Sequence, residues 1–298
     1  MFSYFSKRRL KKHDLNNNRK LRAALHAALL QQHALAADGP AVGNELEHEI
    51  VVTLTSYGQR IHDLYLCIES LLRQSLPPDR IVLWLARSDF PRGRLPELLR
   101  RQERRGLEIH FVDEDLGPYK KIVYALERFP DSLLLTVDDD MLYPPDTVEQ
   151  LYYAWCDAPT VIHCQRAHRI ALDSGGGLQP YAKWSAAPAG CAPSPLVFPT
   201  GVCGVLYFPG ALDAQVLERE QFMRLCPRSD DVWLKAMSLK NGMACATVDD
   251  PRYWKDRFLT IEGSQSQSLK RQNWQASGGN DEALRAVFDT FGLLDRLR

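Results

Sequence analysis

No stretch of this 298-residue chain is long and apolar enough to span a bilayer, and no cleavage-site pattern marks a signal peptide. No CxxC pair occurs. The seven cysteines (67, 156, 164, 191, 203, 226 and 245) are scattered and odd in number, which excludes a disulfide framework and points to reduced thiols in the cytoplasm. No histidine follows His168, so the last 130 residues offer no imidazole to a metal. Net charge is also missing, because 37 basic side chains face 37 acidic ones. What remains is an ordinary globular composition, 45% hydrophobic and 25% charged, with ample core for one large α/β domain or two small ones.

The charge balance conceals an asymmetry. Residues 1–22 carry eight Lys or Arg against Asp14 alone, a net of +7, which leaves −7 for residues 23–298. The basic block runs into an Ala/Leu-rich, helix-prone stretch interrupted by His26, Gln31, Gln32 and His33. Such an arm suits peripheral contact with an anionic membrane surface, docking to a partner, or a solubilising leader. It does not suit nucleic acid, because the basic residues stop before the folded domain starts.

Residues 38–47 read as a linker, and from residue 49 strand and helix patterns alternate. Strands are expected at 50–56, 80–86, 107–113 and 133–137, separated by helices at 62–75, 95–105 and 118–129. That βαβαβαβ order demands a parallel sheet with right-handed crossovers. A helix at 146–156 and a short strand around 159–163 follow, then a long Gly/Pro/Ala-rich loop at 173–200. Strands are expected again at 201–208 and 243–248, with a helix at 232–240 between them. Asp146 with Glu149 behind Pro144–Pro145 reads as a capping box. The division is 1–48 for the basic helical arm and linker, 49–260 for the main domain and 261–298 for a C-terminal helical extension.

The chemistry concentrates at SLLLTVDDDMLYPP, residues 132–145, where a buried apolar strand ends in Asp138, Asp139 and Asp140. Open α/β sheets bind ligands outside the carboxyl ends of their strands. Three adjacent carboxylates repel one another unless a positive partner joins them, and a hard divalent cation with a substrate phosphate fits. A solvated acidic turn is the alternative.

TSYGQRI after the first strand, EDLGPYKK before the third helix, VDDDMLYP, the Gly-rich TGVCGVLYFPG and SDDVWL together resemble a GT-A glycosyltransferase over roughly residues 50–250. They are close to the family-2-type enzymes of bacterial surface polysaccharide biosynthesis. The resemblance implies an α/β, GT-A (Rossmann-like) nucleotide-sugar-binding fold with a mostly parallel central sheet, plus the helical basic N-terminal arm. It implies transfer of a hexosyl or N-acetylhexosaminyl unit from a nucleotide-sugar donor, a UDP-sugar, to a saccharide or lipid-linked saccharide acceptor. Mn2+ or Mg2+ would assist, in the cytoplasm or at the inner face of the membrane.

By that pattern Asp140 holds the metal on the diphosphate, Asp138 joins it or contacts the ribose, and Asp139 is the local member of the triplet. Thr55, Ser56, Tyr57 and Arg60 fall where such enzymes seat the nucleobase; an ordinary βα loop with Arg60 as a surface charge is the alternative. Asp113 and Asp115 bond the uracil or ribose, or cap the next helix. Lys120 and Lys121 stand where a cation meets the diphosphate, one of them being a solvated helix charge. Asp231 is the catalytic base for a single inverting displacement and Asp230 orients the acceptor, although Ser-Asp-Asp also makes a good helix N-cap. With no late histidine, the metal is left to aspartates, diphosphate and water. HCQRAHR at 163–169 reads as core or as lining of the acceptor cleft rather than as a zinc site. A retaining transferase and a non-catalytic saccharide-binding protein on the same fold remain open.

Overall fold

Strand β1 (Ile50–Thr55) is buried on both faces, as its unbroken apolar run requires. In the computed structural model, which describes residues 2–263 and 279–297, it lies inside a seven-stranded sheet, third from one edge. On one side it pairs in parallel with β2 (Arg80–Ala86), which pairs with β3 (Leu107–Val112) at the edge. On the other side it pairs in parallel with β4 (Leu133–Thr136), Val52 opposite Leu135. After β5 (Met141–Leu142) the sheet continues through β10 (Val205–Tyr207), antiparallel to both β4 and β6 (Ile162–Cys164). Strand β11 (Cys245–Thr247) closes it, parallel to β6. Two smaller sheets join β7 (Ala167–Arg169), β8 (Ser185–Ala186) and β9 (Val197–Pro199), and β5 with β12 (Leu259–Thr260).

The period-two alternation of strand side chains divides the core. Val52, Leu54, Ile81, Leu83 and Leu135 point to the face covered by α2 (Leu64–Leu71), α3 (Glu97–Glu103) and α5 (Thr147–Asp157). Val51, Val82, Trp84 and Leu134 point to the other face. There α4 (Lys120–Arg128), α6 (Arg219–Leu225) and α7 (Asp230–Lys240) pack, with α9 (Gly279–Phe291) lying against α7, whereas Trp254 of α8 (Trp254–Arg257) packs against the first face. Each buried aliphatic side chain contributes about 1.5–3 kcal/mol.

The arm is a single helix, α1 (Phe2–Ala36), whose second half is docked on the domain. Ala23 and Ala34 are buried, Arg19 pairs with Asp256 at 2.8 Å, and Arg101 donates to the Leu35 carbonyl at 2.7 Å. The connecting segment is tied down too, with Ala41 N–H on the Arg105 carbonyl and Gly43 N–H on that of Pro78. No helix among the described residues is long and apolar enough to cross a membrane.

Three local expectations change. The run at 201–208 is not one strand: Gly201–Cys203 is a 3-10 turn, and Gly204, at φ 105°, breaks the chain before β10. The capping box does not form. Asp146 accepts from the Gln150 side chain one turn on and from Arg252, and Glu149 accepts from Ser75; these side chains outcompete the helix N–H groups. Helix α7 begins at Asp230, two residues before the expected start, which brings both aspartates into its first turn. In the expected C-terminal extension residues 279–291 form α9, and residues 264–278 lie outside the described residues.

Candidate active site

The strand order reverses at β1 and β4, so the crevice between their carboxyl ends is the switch point of the sheet. Ser56 and Arg60 enter it from the turn after β1, and the aspartate triplet enters it from the end of β4. The two segments are locked together. Asp139 is buried, accepting from Ser56 Oγ at 2.6 Å and pairing with Arg60, whose other terminal nitrogen meets Asp140 at 2.8 Å. Burial pushes the Asp139 carboxyl up to about 6, against the pull of Arg60 and Ser56. The guanidinium also loses hydration, yet Asp139 and Asp140 hold its pKa above the ordinary value. Tyr143 accepts from Asp138 N–H at 2.8 Å and fixes the backbone of the triplet.

Lys121 joins this strand end to helix α7. Its amine lies 2.8 Å from Asp138 and 3.0 Å from Asp230, with the side chain only 6% exposed. Burial opposes the charged amine, but Asp138, Asp230 and Asp231 hold its pKa well above the ordinary value. Asp231 accepts the Gly201 N–H at 3.0 Å. A Cβ built on Gly201 would sit 3.2 Å from both Asp231 Oδ1 and Lys121 Nζ, so a side chain there would crowd the pair. Burial and then Asp230 push the Asp231 carboxyl up to about 7, with Lys121 pulling the other way. A carboxyl poised there is suited to take a proton near neutral pH.

The remaining expected residues divide. Asp139 is not open to a ligand, since its oxygens face Ser56 and Arg60. Arg60 is no surface charge but a buried clamp. Thr55 Oγ1 donates to the Trp84 carbonyl and so serves the sheet. Tyr57 is half-buried, its ring 5.3 Å from the Arg60 guanidinium carbon. Asp115 accepts the Gly117 N–H at 3.0 Å and pairs with Lys120, so its carboxylate caps the turn before α4. Asp113 is 91% exposed against Arg87. Lys120 and Lys121 are both buried, so neither is a solvated helix charge. Ser229 makes no side-chain cap at α7; its hydroxyl meets Asn280 at 3.1 Å.

Two contributors escape a residue-by-residue reading: the Gly201 N–H, signalled only by the Gly-rich TGVCG run, and Tyr143. Both act on groups distant in sequence or through the backbone. The donor chemistry of Asp138 and Asp140 fits a hard divalent ion, as carboxylates at a strand end. Among the described residues no group of three His, Cys, Asp or Glu is arranged to hold a metal, so such an ion would draw its other ligands from a diphosphate and water.

A mostly parallel sheet with an acidic strand end at its switch point is consistent with the GT-A fold. The family described as Glycosyl transferase family 2 matches residues 51–191 of this chain. No curated protein matches it in sequence. Among solved structures it is similar to the mannosyltransferase PcManGT from Pyrobaculum calidifontis, determined with GDP-Man and Mn2+. The identity is 13% over 95% of this chain and 78% of that one, at a TM-score of 0.50. S. aureus TarS 1–349, in complex with UDP, gives 12% identity over 69% and 59%, TM-score 0.44. The 4-diphosphocytidyl-2C-methyl-D-erythritol synthase of Anaerococcus prevotii gives 13% over 76% and 99%, TM-score 0.45. At such identity the likeness to the mannosyltransferase is one of fold.

Proposed function

We propose that this glycosyltransferase moves a hexosyl or N-acetylhexosaminyl unit from a nucleotide sugar, a UDP-sugar, to a saccharide or lipid-linked saccharide acceptor in polysaccharide biosynthesis, with inversion. The carrying observation is that Lys121 brings Asp138 together with the Asp230–Asp231 pair, although some 90 residues of chain separate them. On this reading Asp231 takes the proton of the acceptor hydroxyl as its oxygen attacks the anomeric carbon. The Gly201 N–H fixes the carboxylate, and Asp230 and Lys121 hold it at the mouth of the helix. Arg60 and Ser56 hold Asp139, which sets the direction of its neighbours. Asp140 and Asp138 would hold Mn2+ or Mg2+, which when bound neutralises the charge of the departing diphosphate. Tyr57 and the end of β3 form the wall against which the nucleoside lies.

The enzyme works at the inner face of a membrane, with α1 as its contact. Leu21, Leu25, Leu29 and Leu35 lie on the outward side of this docked helix, each more than half exposed. The basic residues of the first turns precede them on the same helix, a combination that suits the surface of an anionic bilayer.

Thermal unfolding against UDP-, GDP-, CMP- and dTDP-sugars, with and without Mn2+, tests the donor site. A ligand that binds only the native state raises its melting temperature by mass action. The expected result is a Mn2+-dependent shift with the UDP-sugar that is lost in Asp140→Asn. No shift with any of the four contradicts the reading.

A further inference from the structure

Arg166 lies next to this site and has no part in the steps above. It is half-buried, and among the described residues no carboxylate lies within ion-pairing distance of it. Its guanidinium instead rests on neutral groups. Nη1 donates to Thr200 Oγ1 at 2.7 Å, Nη2 meets His168 Nε2 at 3.1 Å, and Cζ stands 4.6 Å from the Trp254 ring. This differs from Arg60, Lys121 and Arg257. Arg60 is clamped by two aspartates, Lys121 by two and Arg257 by Asp250. A guanidinium withdrawn from water without a counter-ion is costly, and neutral dipoles offset only part of the cost.

Its place in the chain connects it to the proposed base. Thr200, which holds Arg166 through its hydroxyl and whose N–H bonds the Arg166 carbonyl, is followed at once by Gly201, whose N–H holds Asp231. The Tyr181 ring stands against the His168 ring, at 5.3 Å between centroids. Burial pushes the Tyr181 hydroxyl up to about 12; Asp231 adds to that shift and Arg166 opposes it, so the tyrosine lies within electrostatic reach of both. Arg166 comes from the β6–β7 corner, on the side of β10 away from the Ser56–Arg60 crevice. A ligand whose hydroxyl reaches Asp231 from that side meets the guanidinium.

We propose that Arg166, with Thr200, His168 and Trp254, forms an oxyanion subsite that holds a carboxylate or phosphate ester carried by the acceptor saccharide. The assignment rests on the transferase reading. The planar fork of an arginine matches such oxyanions bidentately, and the indole behind it holds the fork in place. An acidic acceptor supplies the missing counter-charge, and by doing so sets which hydroxyl faces Asp231. A neutral acceptor leaves the guanidinium uncompensated.

Binding to the full-length chain tests this, by ligand-observed NMR or calorimetry. The probes are a uronic-acid disaccharide, a hexose 6-phosphate, the neutral disaccharide, and UDP with Mn2+, against wild type, Arg166→Gln and Arg166→Lys. The expected result is that at least one anionic probe binds wild type tenfold or more tightly than the neutral one. That preference is lost in Arg166→Gln and weakened several-fold in Arg166→Lys, while UDP–Mn2+ affinity stays within twofold throughout. Should Arg166→Gln not fold, the Lys variant, which keeps the charge and loses the fork, carries the comparison alone. Absence of an anionic preference in wild type overturns the proposal, as does a preference that survives in the variants. A tenfold fall in UDP–Mn2+ affinity on substitution also overturns it, by assigning Arg166 to the donor diphosphate. Failure of UDP to bind wild type while the anionic preference holds would remove the transferase reading and leave the subsite standing.

Discussion

Asp231→Asn separates stability from activity. In the folded chain the Asp231 carboxyl is pushed up to about 7 by burial and Asp230. In the unfolded chain it titrates near 3.9. The folded state therefore binds this proton more tightly. The stability linked to it is full below pH ~4 and is lost as the pH rises towards 7. A difference of about three units corresponds to at most about 4 kcal/mol, and solvent on the open side of the carboxylate lowers that to about 1–3 kcal/mol. Asparagine keeps the acceptor for the Gly201 N–H but never ionises. Asp231→Asn should thus match wild type at pH 4 and exceed it at pH 8, by about 2–5 °C in melting temperature for a chain of this size. Transfer should be abolished, and the wild-type rate should climb with pH through about 7 as the base ionises. Thermal melts of both proteins across pH 4–8, with nucleoside diphosphate release measured in parallel, check this. A variant less stable than wild type at pH 8, or one that still transfers, would refute the reasoning.

Arg60→Met leaves Asp139 and Asp140 without their shared cation and should cost about 3–5 kcal/mol, read as an earlier urea midpoint. An unchanged midpoint would mean that the clamp is dispensable. Lys121→Met removes the only cation bonded to both Asp138 and Asp230 among the described residues, so transfer should fall at least a hundredfold and the pH of half-maximal activity should move upward. A downward move would contradict the role given to its charge. Leu25→Glu with Leu29→Glu, on the outward side of α1, should abolish flotation with anionic liposomes and leave the melting temperature within a degree or two. Equal flotation would remove the membrane contact.

The strands and helices up to residue 157 were legible because each apolar run is bounded by turn residues and has the period of its element. Strand β4 ended where its apolar run met the first aspartate, and the crevice followed from chain order alone. The partners within the site were not legible. Arg60 read equally well as a surface charge, because nothing in TSYGQRI shows that Asp139 and Asp140 will close over it. Lys120 and Lys121 look alike in sequence, yet one holds the Asp115 turn and the other spans to α7. The split of 201–208 depends on Gly204, whose positive φ turns an apparent strand into a turn and frees the Gly201 N–H for Asp231. Arg166 sat in a run whose His and Cys drew attention to metal chemistry. Its lack of a carboxylate is a property of the tertiary neighbourhood.

The most direct measurement is the release of nucleoside diphosphate from a UDP-sugar with Mn2+, for wild type, Asp140→Asn and Asp231→Asn, with nucleotide affinity measured on the same preparations. The account predicts turnover in wild type alone. Asp140→Asn should lose both metal-dependent binding and turnover, while Asp231→Asn should bind UDP as wild type does and release at least a hundredfold less product. Turnover that persists in Asp231→Asn, or wild type that binds no nucleotide, would contradict the claim that this cluster of aspartates around Lys121 is the active site of a nucleotide-sugar transferase.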